Sequence, residues 1–299
     1  MDVRVVSLLP SATEIAIGLG LAEQLVGVTF ECDFPPDPRV GRSVVVGGLD
    51  THGLDAGAID ALVRQKVAAG DDLYTLDVDA FRQLDPTVVL TQDLCRVCAL
   101  PSGQVDQAMA QLGCHARVVT MDPHSLADIL ATILAVGDAT GTVHRAEELV
   151  KGLRARLTAV AERVAGRPRP RVFVLEWPDP PFVAGHWVPE LVQAAGGDAV
   201  LAHPGERSVP TTWDEVARID PDVVVVSSCG FDAQGSAAHA ADVLDRLPAT
   251  AQVWAIDANG LMVRPGPRVV DGVETLAAMF HPMLRAGADL SPTSAVRVR

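Results

Sequence analysis

Four of the five cysteines in this 299-residue chain stand at one kind of place, just after a run of β-forming residues. Cys32 follows Leu25–Thr29, Cys95 and Cys98 follow Val88–Thr91, and Cys229 follows the run that begins at Val223. In an open α/β sheet that place is the carboxyl edge of the strands, where ligands gather. The Cys-x-x-Cys spacing of Cys95 and Cys98 lets two thiolates reach one metal. Cys32 can join them from a neighbouring strand and Cys229 from the other half of the chain. Four thiolates suit zinc or an iron–sulfur cluster. The plainer reading is that small, unrelated thiols line a pocket. Thioredoxin-like disulfide exchange fits less well, because no helix clearly begins at Cys95. Cys114 precedes a strand and reads as a small buried hydrophobe. An odd number of cysteines in a chain this long fits reduced thiols or metal ligands better than a disulfide framework.

A second set of residues suits a flat organic ligand. Trp177, Trp187 and Phe231 fall on turns after strands in a chain with few aromatics, and flat side chains there can face a macrocycle. Taken singly, each reads as ordinary core packing. His186 precedes a helix on the same edge and is a further candidate ligand. Arg264 and Arg268 flank Pro265-Gly266-Pro267 and can meet carboxylates or amides; otherwise they belong to an exposed turn before the last helix. Ser11 and Glu14 have the spacing of a capping box. The helix N-terminus they mark offers free N–H groups to a ligand, which makes Ser11 and Thr13 binding candidates. Trp213 reads as core. No P-loop, no Gly-x-Gly-x-x-Gly after a strand and no Gly-x-Ser-x-Gly is present.

The elements that must position these side chains come in two similar series. The chain reads Asp79-Ala-Phe-Arg-Gln-Leu-Asp85-Pro86 before one β run and Asp214-Glu-Val-Ala-Arg-Ile-Asp220-Pro221 before another. A repeat of a short helix, an Asp-Pro break and a strand at this distance implies two similar α/β lobes, not a solenoid. Between them, apolar residues at Ala146, Leu149, Val150, Leu153, Leu157, Val160 and Val164 keep helical spacing. A breaker cluster, Gly166-Arg-Pro-Arg-Pro170, ends that helix. The division expected is an N-terminal lobe at 1–141, a connecting helix at 142–166 and a C-terminal lobe at 167–299. Each lobe should be a Rossmann-like, mostly parallel sheet, with a ligand cleft between the two. The polar tail after Ala286 should be loose.

The totals narrow the function. A formal net charge of −14 argues against a nucleic-acid backbone as partner, since such binding needs clustered Lys and Arg. No run of 18 apolar residues occurs, so no membrane span is expected. The N-terminus lacks the pattern of a secretory signal, which points to the cytoplasm as the chain is written, or outside it if a leader has been removed.

Val5-Val-Ser-Leu-Leu-Pro-Ser-Ala-Thr-Glu14, the two Asp-Pro phrases and the mid-chain helix together resemble the helical-backbone class of ABC-transporter substrate-binding proteins. That class carries cobalamin, haem and ferric siderophores, and the resemblance covers nearly the whole chain. Trp177, Ala184-Gly-His186-Trp187-Val-Pro189 and Arg264-Pro-Gly-Pro-Arg268 are similar to its cobalamin-binding branch. The resemblance implies a monomeric binding protein, not an enzyme, that holds cobalamin or a related metal chelate. It also implies one acidic residue per lobe that docks on arginines of an ABC permease. Those positions match Asp79 and Asp214, where the family normally has Glu; the competing reading of each is a helix N-cap. The alternative function is a cytoplasmic relative whose cysteines hold a metal or cluster for a metal-handling or enzymatic role.

Overall fold

A computed structural model describes residues 3–92, 103, 109, 115–285 and 290–299. The chain divides into two compact units, Met1–Pro123 with Ala127–Lys151 and His124–Leu126 with Gly152–Arg299.

The first unit holds β1 (Val5–Ser7), α1 (Pro10–Gly18), β2 (Leu25–Thr29), β3 (Ser43–Gly48), α2 (Ala56–Ala69), β4 (Tyr74–Leu76), α3 (Val78–Leu84), β5 (Val88–Thr91), β6 (Arg117–Thr120) and most of α4 (Leu126–Thr140). Its strands lie in the order β4-β3-β2-β1-β5-β6, parallel except for the β3–β4 pair. A parallel sheet is covered on both faces, so its central strands must be apolar throughout. All three residues of β1 and all four of β5 are buried. Val6, Leu8, Val45, Val46, Phe81 and Val89 pack together behind them.

Residues 143–164 form a single helix, α5 (Val143–Val164), of 22 residues, about 33 Å long at 1.5 Å per residue. Ala146, Val150, Leu153 and Val160 are its buried stripe, and Leu149, Leu157 and Val164 are half-buried beside it. Its ends lie within two residues of those expected at 142 and 166. Its first turns belong to the first unit and its remainder to the second.

The second unit contains β7 (Arg171–Pro178), β8 (Pro181–Val183), α6 (Val188–Ala194), β9 (Asp198–Ala199), β10 (Val209–Pro210), α7 (Trp213–Ile219), β11 (Val223–Val226), α8 (Ala233–Asp242), β12 (Gln252–Ile256), α9 (Ala258–Leu261), α10 (Val269–Phe280) and β13 (Ala295–Arg297). The strand order is β10-β8-β7-β11-β12-β13, with β9 added beside β7. The central strands β7, β11 and β12 run parallel, β8 and β13 run antiparallel to their neighbours β7 and β12, and the edge strand β10 pairs antiparallel with β8. The tail expected to be loose is therefore tied into the sheet through β13. The Arg299 guanidinium secures it further by donating to the carbonyls of Pro248, Ala251 and Leu244.

The doubled phrase is a doubled structure. In each unit a short helix, α3 or α7, ends on an aspartate in the left-handed region, Asp85 at φ 43° and Asp220 at φ 42°. A proline follows, and then a strand buried at every position, flanked by parallel neighbours on both sides. Aspartate tolerates this backbone region better than most residues, so two short polar side chains serve a turn that would otherwise ask for glycine.

In the second unit, α10 is fastened to α5 by a guanidinium fork. Arg156 Nε donates to Glu274 Oε1 at 2.9 Å and Nη2 to Glu274 Oε2 at 2.6 Å, and Nη2 also meets Asp271. Paired, parallel N–H···O bonds of this kind are among the stronger ion-pair geometries. About two turns later, Arg163 donates to the Leu284 carbonyl at 2.9 Å.

Candidate functional site

The strands β7 and β11 of the second unit end side by side, and the aromatics foreseen there do meet. The half-buried rings of Trp177 and Phe231 are 6.0 Å apart between centroids. The Trp177 indole Nε1 donates to the Asp179 carbonyl at 3.1 Å, which fixes the ring over the β7–β8 turn. A third ring, not foreseen from the sequence, closes the cluster. His239 on α8 stands edge-on to Phe231 at 4.5 Å and to Trp177 at 5.7 Å. Gly235 leaves room for Phe231, since a Cβ there would come within 2.7 Å of its ring. The signal that could have found His239 is its place on a helix whose Ala233, Ser236, His239 and Ala240 form one buried face at helical spacing.

His186 and Trp187 occupy the segment that leads into α6. His186 takes a left-handed backbone, φ 50°, and its N–H donates to the Glu206 carbonyl at 2.6 Å. Gly185 must be glycine to allow this. A Cβ on it would lie 2.4 Å from the Glu206 oxygen and 2.6 Å from the Ser208 nitrogen, both of them backbone atoms. The His186 ring sits 6.3 Å from His124 and 5.7 Å from Trp187. Trp187 itself is an interior residue, 4% exposed, whose Nε1 donates to the Met262 carbonyl at 2.7 Å. It braces the segment and has little surface for a ligand.

Arg264 and Arg268 both bear on Asp257, the residue that caps α9 by accepting from the Gly260 N–H at 3.0 Å. A Cβ on Gly260 would lie 2.1 Å from Asp257 Oδ2 and 2.4 Å from Arg268 Nη1, so the carboxylate and the guanidinium share the space that glycine leaves open. Burial pushes the Asp257 carboxyl up, while the Gly260 N–H and the two arginines oppose that shift. Asp257 was not foreseen as part of this group.

In the first unit the polar residues of α1 are interior. The helix begins at Pro10 with Leu9 as its cap, so the expected Ser11–Glu14 capping box does not form. Proline at the first helical position needs no N–H partner and has its φ already set, which moves the start two residues toward the N-terminus. Thr13 is fully buried, donates to Ser7 Oγ at 2.9 Å and lies 3.1 Å from Cys32 Sγ. Ser11 is 1% exposed and its Oγ has no protein partner.

The thiol arrangement foreseen for a metal receives no support. Cys32 is completely buried among the Thr13 and Thr29 hydroxyls, so it follows its strand but is not presented at the edge. Cys229 is exposed after β11, and Cys95 and Cys98 lie outside the described residues. Among the described residues, no three His, Cys, Asp or Glu side chains gather as a metal would need. No described helix is long and apolar enough to cross a membrane.

Asp79 and Asp214 are not helix caps. Asp77 caps α3, accepting from the Ala80 N–H at 2.9 Å, and Thr212 caps α7 in a capping box with Glu215. Each of the two acids sits one residue inside its helix, at the second helical position, and both are exposed. The Asp79 side chain is 82% exposed, with Arg82 3.4 Å away.

Three histidines in the second unit, His186, His239 and His281, are held below the ordinary histidine range, in each case chiefly by burial. Their folded values lie under the unfolded one, so the unfolded chain takes up protons first as pH falls. Stability is full above about pH 6.5, the unfolded histidine value, and declines as pH drops through it toward the folded values. Asp257, pushed the other way, acts in the opposite sense at lower pH. The thermal midpoint measured between pH 7.5 and 5.5 is therefore expected to fall with acidification. A midpoint that holds or rises would refute the buried-histidine assignment.

Two α/β units, each built on the same helix–aspartate–proline–strand phrase, with one long helix divided between them, have the architecture of a solute-binding scaffold. The comparisons agree with that class. Residues 5–263 match the family model described as periplasmic binding protein, and the chain belongs to that family. It is 24% identical to an uncharacterised ABC transporter substrate-binding lipoprotein of Bacillus subtilis, over 93% of this chain and 80% of the relative. It is 25% identical to a vitamin B12-binding protein of Vibrio cholerae, over 91% of this chain and 86% of that one. Among solved structures, a periplasmic vitamin B12-binding protein of Vibrio cholerae superposes with a TM-score of 0.68 at 22% identity, covering 94% of this chain and 98% of that one. A periplasmic haem-binding protein from Pseudomonas aeruginosa gives a TM-score of 0.70 at 22% identity, covering 99% and 98%. These likenesses support a binding protein of ABC-transporter type, a class that works with a permease. They lend no support to the alternative of a cytoplasmic metal-handling or enzymatic relative.

Proposed function

We propose that this chain is the solute-binding component of an ABC importer that works outside the cytoplasm and takes a flat metal chelate of the cobalamin or haem kind. The observation that carries this reading is the half-buried Trp177–Phe231 pair at the carboxyl edge of β7 and β11. Two aromatic rings at the end of a parallel sheet offer an apolar surface to a macrocycle. Arg264 and Arg268, held beside Asp257, are suited to the polar groups on such a ring's rim. The named ligands of the relatives point to the same chemical class. Ser11 and Thr13, being buried, support the first unit's helix and are not counted as ligand contacts. Asp79 and Asp214 are proposed as the permease-docking acids.

The test is a titration of the purified protein with cyanocobalamin and with haemin, followed by quenching of tryptophan emission and by the ligands' visible bands. Saturable one-to-one binding of at least one of them, at micromolar concentration or below, is expected. Failure of both to bind would overturn the assignment of ligand class.

A further inference from the structure

The turn that carries Phe231 is held from two sides. On one, the Cys229 N–H donates to the Glu176 carbonyl of β7 at 3.2 Å. On the other stands Asn259, the second residue of α9. Its side-chain Oδ1 accepts from the Gly230 N–H at 3.1 Å, and its own N–H donates to the Phe231 carbonyl at 3.2 Å. Those two groups bracket the Phe231 Cα, so one half-buried residue grips the backbone on both sides of the ring's attachment. The turn needs that grip. Gly230 sits at φ 91°, and glycine is also the residue with the most freedom to leave such a conformation.

Asn259 is a firm post for the purpose. Asp257 caps the start of α9, and the Met262 carbonyl just beyond its end accepts from the Trp187 indole. α10 lies so near that a Cβ on Gly272 would meet the Leu261 carbonyl. A side chain can place another only when its own position is locked by its surroundings.

We propose that Asn259 is the positioning residue of the aromatic pair. It acts through Phe231, holding that ring against Trp177 before a ligand arrives, so that little ordering remains to be done on binding. The inference rests on the ligand surface proposed above. It also makes α9 the element that sets the aromatic pair relative to the arginines, since Asp257 of the same segment is the group on which Arg264 and Arg268 bear.

Asn259→Ala removes Oδ1 while keeping the backbone N–H and a good helix former. Affinity for cyanocobalamin and for haemin is measured in the wild type, in Asn259→Ala, in Phe231→Leu and in the double variant. Asn259→Ala is expected to bind the tighter ligand about three- to tenfold more weakly, the worth of one hydrogen bond. In the Phe231→Leu background the same change should cost almost nothing, because the ring it positions is gone. A merely structural residue would weaken binding equally in both backgrounds, and that result would overturn the inference. If the wild type binds and Asn259→Ala binds as tightly, the inference fails while the ligand class stands. If the wild type binds neither compound, the ligand class fails and takes the inference with it. Should Asn259→Ala not fold, Gly230→Ala carries the test. A Cβ there meets nothing within 4 Å, so this change acts only by disfavouring φ 91° and drawing the turn away from Asn259. A several-fold loss that vanishes in the Phe231→Leu background supports the inference, and an unchanged affinity overturns it.

Discussion

Replacing Gly272 by alanine is expected to lower the thermal midpoint by roughly 4–8 °C, the shift that corresponds to about 2 kcal/mol in a unit of this size. Two effects compete. Alanine inside a helix is favoured over glycine by about 1 kcal/mol, so a glycine in the middle of α10 (Val269–Phe280) would ordinarily be a weak point. Here a Cβ would lie 2.0 Å from the Leu261 carbonyl oxygen and 3.0 Å from its carbon. These are backbone atoms of α9, and no rotamer change can clear them. Overpacking of this kind costs about 1–3 kcal/mol and sometimes more, and at 2.0 Å the upper end applies, so the clash wins. Gly152 on α5 is the internal control, because a Cβ there meets nothing within 4 Å. Gly152→Ala should leave the midpoint unchanged or raise it. Thermal melts of both variants decide the matter, and a Gly272→Ala protein as stable as the wild type would show that α9 and α10 do not approach as closely as described.

The second large effect is expected in transport and not in stability. Changing Asp79 and Asp214 together to asparagine should raise the concentration of loaded binding protein needed for half-maximal uptake by roughly 10²–10⁴-fold. Each acid would lose one charge-assisted hydrogen bond to a permease arginine, worth about 1.5–3 kcal/mol. Asparagine keeps the shape and removes the charge, so the helix starts suffer only the small loss of a favourable dipole contact, about 0.3–1 kcal/mol each. Ligand affinity should not change. Glu at both positions, which keeps the charge and adds one methylene, should preserve uptake if reach along the side chain is not limiting. Uptake reconstituted with the cognate permease would decide it: an unchanged half-maximal concentration in the asparagine pair rules out the docking assignment.

Much of this architecture could be read from residue patterns alone, because long-range periodicity survives local accident. The stripe from Ala146 to Val164 placed a helix of seven apolar positions, all of which are buried or half-buried. The two Asp-Pro phrases predicted matching strands, and even the left-handed aspartates match. The errors are local. Ser11 looked like a cap because it stands three residues before Glu14, but Pro10 could already serve as the first helical residue. Asp79 and Asp214 were weighed as caps, yet Asp77 and Thr212 stand better placed. Cys32 was assigned to the sheet edge from its order in the chain, which carries no information on whether a side chain turns inward. His239 was missed because a histidine on an otherwise ordinary amphipathic helix gives no sign of the rings it will meet. The strand β13 was missed although Ala295-Val-Arg-Val-Arg299 alternates, since so short a run at a chain end is easily taken for a tail.

The fork from Arg156 to Asp271 and Glu274 bears on how the protein comes apart. Chain ends are where order is usually lost first. In this protein, however, the closing helix is clasped to one that lies over a hundred residues earlier, and Arg163 repeats the hold on Leu284 about two turns further along. Residues 269–285 therefore cannot fray on their own: releasing them means stripping the second half of α5 of its partner at the same moment. The middle of the chain and its end form one cooperative block, and local opening in this unit begins elsewhere, in elements held by fewer contacts.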